Sequence, residues 1–211
     1  MYINTSSVNV SPGTGVPTNV RCPNCGQLGT FELPLSNAQD LIFGSGIRAG
    51  ERRCPNIVCR ALIFVIWQNN QIVRSYPPLR IDFDKTNIPP NIVTALEETI
   101  TCHANESYIA AAIMVRKALE ELCRNQGAQG KDLKERIRDL GRKIILPKEL
   151  LDGLDDLRLL GNDAAHIESR EYDKVGKEEV EVGIEFVKEV LKAAYQYSAL
   201  LDRLRGLRKN P

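Results

Sequence analysis

Two stretches decide how the first part of the chain folds: Cys22-Pro23-Asn24-Cys25-Gly26 and Cys54-Pro55-Asn56-Ile57-Val58-Cys59. Each predicts a knuckle, a tight turn that directs two cysteine sulfurs toward one point. Zinc accepts four thiolates in a tetrahedron, with about two to four residues between the members of a pair. We therefore expect Cys22, Cys25, Cys54 and Cys59 to bind one Zn²⁺. Because sulfur fills all four positions, none is open for a water molecule, and the zinc is expected to be structural.

Disulfides are one alternative for these cysteines, and four unrelated free thiols are another. Paired spacing of this kind in an intracellular chain is more often a metal site than a disulfide framework. The other two cysteines, Cys102 and Cys123, stand alone in helical sequence and are expected to be buried small apolar residues. The first residues contain neither a cationic nor an apolar segment, so no secretion signal is expected. From the placement of the cysteines we expect a reducing, cytoplasmic setting.

The composition excludes several classes of protein. The 211 residues are 43% hydrophobic and 26% charged, as in an ordinary globular protein. No stretch approaches the ~20 apolar residues of a membrane span, so no membrane association is expected. The net charge of +1 excludes a polybasic tail as the main means of binding. A local cationic surface beside Phe64 and Trp67 stays an alternative, formed by five arginines: Arg48, Arg52, Arg53, Arg60 and Arg74.

Local composition divides the chain into four parts. Residues 1–20 are rich in Ser, Thr, Asn, Pro and Gly and predict a flexible arm. Residues 21–78 predict a small β zinc ribbon, because β-branched and aromatic runs alternate with turn residues. Residues 79–90 predict an extended linker that ends in two prolines, and residues 91–206 have a helical period. The expected fold class is therefore α+β, with strands predicted at residues 30–33, 61–67 and 71–76.

Apolar residues in the second part recur every three to four positions, which predicts amphipathic helices. The first three helices are indicated by stripes that contain Leu96, Leu119 and Ile137. Pro147 suits the first position of a fourth helix. A longer stripe over residues 180–201 requires a partner helix along its whole length. Because the links between helices are short, we expect an all-α antiparallel bundle.

A row of polar residues follows one side of the predicted fourth helix. Arg158, Asn162 and His166 are four positions apart, so they border the buried stripe of this helix. Gly161 lies on the buried side and allows another helix to approach closely. Arginine can hold a phosphate, histidine can transfer a proton near neutral pH, and Asn162 can orient either one. The alternative is structural: Arg158 pairs with Asp155, and the other two bond locally at a helix end.

The helical part resembles the HEPN superfamily of nucleotide-binding bundles. It is most similar to an uncharacterised bacterial branch that is also found at the C-terminus of type I restriction subunits. Two motifs carry the resemblance, Ala110-Ala-Ala-Ile-Met-Val-Arg116-Lys-Ala-Leu119-Glu120 and Leu157-Arg158-Leu-Leu-Gly161-Asn162-Asp-Ala-Ala-His166. The resemblance covers about residues 88–205. It implies a HEPN-like bundle, frequent homodimerisation and links to phage defence or toxin systems, and a zinc ribbon ahead of the bundle is a familiar arrangement.

Many members of the superfamily are metal-independent ribonucleases, in which an arginine and a histidine meet across a dimer and activate the ribose 2′-OH. The resemblance assigns those roles here to Arg158 and His166. Their spacing is wider than the usual four to six intervening residues. Eight positions along one helix separate the two Cα atoms by ~12 Å, so a partner's copy would have to close the distance.

Two main hypotheses follow. In the first, the protein is a homodimer that recognises RNA or a nucleotide and cleaves RNA, with His166 as the base, Arg158 holding the phosphate and Asn162 orienting them. In the second, it is a non-catalytic dimeric interaction module whose ribbon and dimer face dock a partner protein encoded nearby. A third hypothesis has the ribbon read DNA beside a restriction-type enzyme.

Overall fold

A computed structural model describes residues 10–43, 46–165 and 175–207. The chain divides into two compact units, Met1–Asp82 and Phe83–Pro211. The first contains antiparallel β-sheets and the second is helical, so the α+β class is confirmed. No helix within the described ranges combines the length and the apolar character needed to cross a lipid bilayer.

The first unit contains two antiparallel sheets. Five strands form the larger sheet in the order β1-β4-β5-β6-β7, and β2 pairs with β3 in the smaller one. The strands are β1 Val10–Gly13, β2 Thr18–Arg21, β3 Leu28–Phe31, β4 Asp40–Phe43, β5 Ile47–Arg53, β6 Leu62–Gln68 and β7 Gln71–Tyr76. The three strands predicted from the sequence correspond to β3, β6 and β7.

Two small apolar clusters lie against these sheets. Strand β6 contributes to both, because its side chains alternate between the two faces of the sheet. Ile63, Val65 and Trp67 lie in one cluster, which also contains Cys22 and Cys54. Ile66 points to the other face and packs with Phe43 and Ala49. The first cysteine of each pair is therefore part of the core of this unit.

The prediction of a flexible arm over residues 1–20 is wrong for the part of it that the structure describes. Strand β1 pairs with β4 across more than twenty residues of chain, and β2 pairs with β3. Thr18 and Val20 alternate inward and are buried. The pairing of β1 with β4 is non-local, so the local composition rich in turn residues does not reveal it.

The second unit is built around its second helix. Helix α2 packs against α1, α3, α4 and α5. The helices are α1 Pro90–Ala104, α2 Tyr108–Asn125, α3 Leu133–Lys143, α4 Lys148–Ala165, α5 Lys177–Leu191 and α6 Tyr197–Gly206. Helix α4 begins directly after Pro147, as predicted, and Asp132 caps α3 by accepting a hydrogen bond from the backbone of Glu135. The predicted helical stripes are buried at Leu96, Leu119 and Ile137.

Helices α2 and α4 approach each other closely at Gly161. A Cβ atom at this position would lie 2.5 Å from Cβ of Arg116 and 3.0 Å from the carbonyl oxygen of Ala112. Both distances are shorter than ordinary van der Waals contacts. The prediction that Gly161 allows another helix to approach closely is confirmed.

The last helical segment changes character partway along. Helix α5 continues through a π-helical turn, Lys192–Gln196, into α6. The apolar stripe is buried on α5 up to Leu191, whereas α6 contains no buried residue. The predicted requirement for a partner along residues 180–201 is therefore met within the described chain only for the first half.

Candidate metal centre

The first knuckle connects β2 to β3. Cys22 follows the last residue of β2, and its backbone N–H donates to the carbonyl oxygen of Gln27 at 2.9 Å. The chain then turns back through Gly26, which has φ of +74° and donates to the carbonyl of Cys22 at 3.0 Å. Glycine reaches this left-handed conformation without steric cost. The turn directs the side chains of Cys22 and Cys25 toward the same point.

The second knuckle connects β5 to β6 and has two more residues between its cysteines. Asn56 organises the wider turn: its Oδ1 atom accepts hydrogen bonds from the backbone N–H groups of Val58 and Cys59 at 2.9 and 3.2 Å. Its backbone carbonyl accepts from Cys59 and Arg60. This hydrogen-bonded turn accommodates the two additional residues, and Cys59 still meets Cys54 at the site.

The sulfurs of Cys22, Cys25, Cys54 and Cys59 all lie within 4.8 Å of one another. The Sγ atoms of Cys22 and Cys59 are 3.8 Å apart, as are those of Cys25 and Cys54. A tetrahedral zinc site with bonds of ~2.3 Å has sulfur–sulfur edges of about 3.8 Å. A disulfide bond would need a separation of about 2.05 Å, and all four thiols are free. The cysteines therefore form a group that can hold a metal ion.

Burial separates the four thiols into two kinds. Cys22 and Cys54 are buried, and burial raises the pKa of the Cys22 thiol and raises that of Cys54 to about 12. A hydrogen bond from the side chain of Asn24 lowers the pKa of Cys59 to about 6. A bound cation would offset the cost of ionising the two buried thiols, because metal binding requires thiolates.

The proposed cationic surface of the first unit is smaller than the sequence predicts, because Arg52 is fully buried. Its guanidinium makes a two-pronged ion pair with Asp40, at 2.8 Å (Nη1 to Oδ1) and 2.7 Å (Nη2 to Oδ2). Its Nε atom donates to the carbonyl of Val16, and the group stacks over the ring of Trp67 at 4.6 Å. Arg52 is therefore a core residue, and the sequence analysis did not identify Asp40 as its partner.

The polar row of α4 is only partly within the described residues. Arg158 is engaged by its own helix: its Nε atom donates to Oδ1 of Asp155 at 2.6 Å, and its side chain is 16% exposed. This hydrogen bond lowers the pKa of Asp155. Asn162 lies one turn further along α4. His166 lies outside the described residues, so the catalytic roles of Arg158, Asn162 and His166 stay a prediction.

Comparison with known protein families matches residues 97–208 to a domain of unknown function (DUF4145). The chain belongs to this family. The match begins within α1 and extends past α6, so the DUF4145 domain corresponds to the helical unit and leaves out the four cysteines of the metal centre. No curated protein and no solved structure matches the chain.

The DUF4145 domain contains one buried histidine in its described part. His103 lies in the last turn of α1, 8% exposed, with its ring 5.8 Å from that of Tyr108. Its Nε2 atom is 3.3 Å from the carboxylate of Glu181 on α5. Burial lowers the pKa of His103, and the nearby Glu181 opposes this effect. The imidazole of His103 is therefore buried where α1 contacts α5.

The DUF4145 domain also has a charged cavity of about 390 Å³ at the end of α2. Two of its cations pair with Glu121, whose carboxylate accepts a hydrogen bond from Asn91 at 2.6 Å and lies 2.6 Å from Arg124 and 3.1 Å from Lys117. These contacts lower the pKa of Glu121, and the hydrogen bond from Asn91 makes the largest contribution. Neighbouring Arg116 and Glu120 form an ion pair within α2, at 3.4 Å. These contacts stabilise the end of α2, and none of the predicted site residues lines the cavity.

Proposed function

We propose that Cys22, Cys25, Cys54 and Cys59 bind one structural Zn²⁺ and that the first unit is a zinc ribbon. The support is the convergence of the four sulfurs: the Cys22–Cys59 and Cys25–Cys54 sulfur–sulfur distances are both 3.8 Å, which is the edge of a tetrahedral zinc site. Soft thiolate ligands in a tetrahedral set favour zinc over the harder divalent cations. Four sulfur ligands leave no open position for a reacting water, so the zinc would hold the fold together and perform no chemistry.

We infer that the whole protein is a non-catalytic, homodimeric protein-interaction module. The observation that carries this proposal is the α6 face, a row of large apolar side chains on one side of α6 that is 49–81% exposed: Tyr197, Leu200, Leu201, Leu204 and Leu207. Residues three and four apart lie on the same side of a helix. Contiguous exposed apolar patches on a folded protein typically mark interaction surfaces.

A second copy of the chain is the partner that fits the α6 face. A two-fold axis brings the same patch of both copies together, so an apolar row meets an apolar row. At roughly 100 Å² for each large apolar side chain, the face removes about 500 Å² per copy from water. The total of about 1,000 Å² is the lower limit of specific interfaces. The dimer is therefore expected to dissociate on dilution.

Sedimentation equilibrium over a range of protein concentrations tests the dimer. The wild type is expected to show a reversible monomer–dimer equilibrium, and the double variant Leu200→Glu/Leu204→Glu to stay monomeric. Val182→Glu is the matched control, because Val182 is 63% exposed on α5 and lies outside the α6 face. A monomeric wild type at every concentration would contradict the proposal. An equal loss of dimer in the Val182 variant would show that another surface is responsible.

RNA recognition by a HEPN-like surface is the second candidate. One observation favours it: Lys134 and Arg138 on α3 lie close enough to Asp155 to help lower its pKa, so they add positive charge around Arg158. Both side chains are exposed. Three cations near one carboxylate suit a phosphate-bearing ligand. The implied roles in ribonuclease activity and in phage defence or toxin systems belong to this candidate.

Incubation with RNA without added divalent metal separates the two candidates. The ribonuclease hypothesis predicts products with 2′,3′-cyclic phosphate ends, and their loss in His166→Ala. RNA recognition without cleavage predicts salt-dependent binding that Lys134→Ala/Arg138→Ala weakens. If the wild type neither cuts nor retains RNA, only the interaction module stands.

A further inference from the structure

The two knuckles share a feature beyond their cysteines, because each begins Cys-Pro-Asn. In the structure the two asparagines reach across the site in opposite directions. The Nδ2 atom of Asn24 donates to the sulfur of Cys59 at 3.3 Å, and that of Asn56 faces the sulfur of Cys25 at 3.9 Å. Each asparagine thus contacts the second cysteine of the opposite knuckle.

The direction of the Asn56 amide is fixed by its surroundings. Oδ1 accepts two backbone N–H groups of its own turn, from Val58 and Cys59, so the NH₂ group is the end that faces Cys25. The direction of the Asn24 amide follows from the chemistry of sulfur. A thiolate only accepts hydrogen bonds, so the amide NH₂ group, which is the donor of the side chain, faces Cys59.

The two sulfurs contacted in this way are the more accessible pair. Cys25 is exposed and Cys59 is half-buried, whereas Cys22 and Cys54 are buried in the apolar cluster. A ligand sulfur that water or a chelator can reach is the natural point for a metal ion to leave. Packing holds the two inner sulfurs, and a different interaction is needed to hold the two outer ones.

We propose that Asn24 and Asn56 are positioning residues that orient the two accessible thiolates and slow the release of the bound metal. The inference rests on the proposed zinc binding and goes beyond it, since it assigns a role to residues that are not ligands. Partners that hold metal ligands in place typically change metal affinity by about 10–100-fold. The contact of Asn24 is the shorter one, so its effect is expected to be larger.

The rate of zinc transfer from the loaded protein to an excess of a chromophoric chelator tests this role. Asn24→Ala is expected to raise the rate by roughly tenfold. Asn56→Asp keeps the oxygen that caps the turn and replaces the NH₂ donor with a second carboxylate oxygen, which cannot donate to the Cys25 thiolate and repels it, so it tests the contact with Cys25 while the cap is retained. We expect a smaller increase for this variant. Asn19→Ala on strand β2 is the control, because Asn19 is exposed and does not contact the sulfurs in the described structure.

A spectroscopic measurement separates positioning from simple loss of stability. With Co²⁺ in place of zinc, the sulfur-to-metal charge-transfer bands report on the hydrogen bonding of the ligands. Asn24→Ala is expected to shift these bands, and Asn19→Ala to leave them unchanged. Equal transfer rates and identical bands in wild type, Asn24→Ala and Asn56→Asp would overturn the inference while zinc binding stands. A wild type that binds neither zinc nor cobalt would overturn the zinc proposal itself.

Discussion

The interiors of the two units differ in kind. In its described residues the first unit has two small apolar clusters, and its buried residues include an ion pair between Arg52 and Asp40 as well as two of the four clustered cysteines. The helical unit buries aliphatic side chains from five helices. Stability in the first unit therefore depends on a few specific contacts, whereas in the second it is spread over a large apolar area.

Removal of the proposed zinc should have the largest effect and should affect only one unit. Structural zinc supplies on the order of 10 kcal/mol in small domains. We expect excess chelator, or Cys54→Ser, to unfold the first unit and to leave the helical unit folded. Trp67, the only tryptophan of the chain, is 8% exposed in the first unit. Its fluorescence should shift to the red while the far-ultraviolet circular dichroism of the helices persists.

Parallel loss of both signals would contradict the separation, because it would mean that the helices also depend on the metal. Retention of both signals after complete chelation would show that the apolar clusters hold the first unit without zinc. Fluorescence of the zinc-restored sample provides the control for irreversible damage.

Breaking the Arg52–Asp40 pair should have the next largest effect. Asp40→Asn leaves a buried guanidinium without its counter-charge, which typically costs about 3–5 kcal/mol. The double variant Asp40→Leu/Arg52→Met removes both charges and should recover most of this loss. Urea unfolding followed by Trp67 fluorescence measures both. A double variant as unstable as Asp40→Asn would show that packing, and not the charge pair, dominates here.

Gly161 tests the tight contact in the helical unit. In Gly161→Ala the new Cβ meets the α2 backbone, and overpacking should outweigh the gain in helix propensity of ~1 kcal/mol, for a net loss of about 1–2 kcal/mol. Gly206→Ala is the matched control, because open space surrounds a Cβ atom at Gly206 in α6. It should be neutral or slightly stabilising. The free energies of unfolding of the two variants are compared by chemical unfolding followed by circular dichroism. A Gly161→Ala variant more stable than the wild type would contradict the close contact between α2 and α4.

His103 should give the smallest effect, a dependence of helical stability on pH. Burial lowers its pKa from 6.5, so the unfolded chain binds a proton more readily than the folded one. The neutral form of buried His103 therefore contributes to the stability of the folded helical unit in full above the unfolded pKa of 6.5, and this contribution is lost as the pH falls through the lower pKa of the folded state. Glu181 and Lys177 on α5 act on His103 in opposite directions. The slope of stability between about pH 7 and 5 should flatten in His103→Gln; an unchanged slope would exclude His103 as its source.

The sequence predicted those features that depend on local spacing. Helical periodicity located α4 after Pro147, and the position of Gly161 on the apolar side predicted its close contact. The spacing of the cysteines predicted their convergence, although the knuckles are far apart in the chain. Each of these signals is contained in a short segment or in a characteristic pair of segments.

Features that depend on distant parts of the chain were not predictable in this way. Arg52 finds Asp40 only through the pairing of β4 with β5, and an arginine in a charged stretch normally indicates a surface. The contact of Asn24 with Cys59 joins residues of different knuckles. The apolar period of residues 180–201 is equally regular before and after the π-helical turn, and periodicity cannot show which half finds a partner.

Elemental analysis of protein purified without added metal tests the central claim most directly. Inductively coupled plasma mass spectrometry should find about one equivalent of zinc per chain, as a four-cysteine site requires, and Cys22→Ser/Cys54→Ser should contain almost none. Less than about half an equivalent in the wild type, with no other thiophilic metal in its place, would contradict the account.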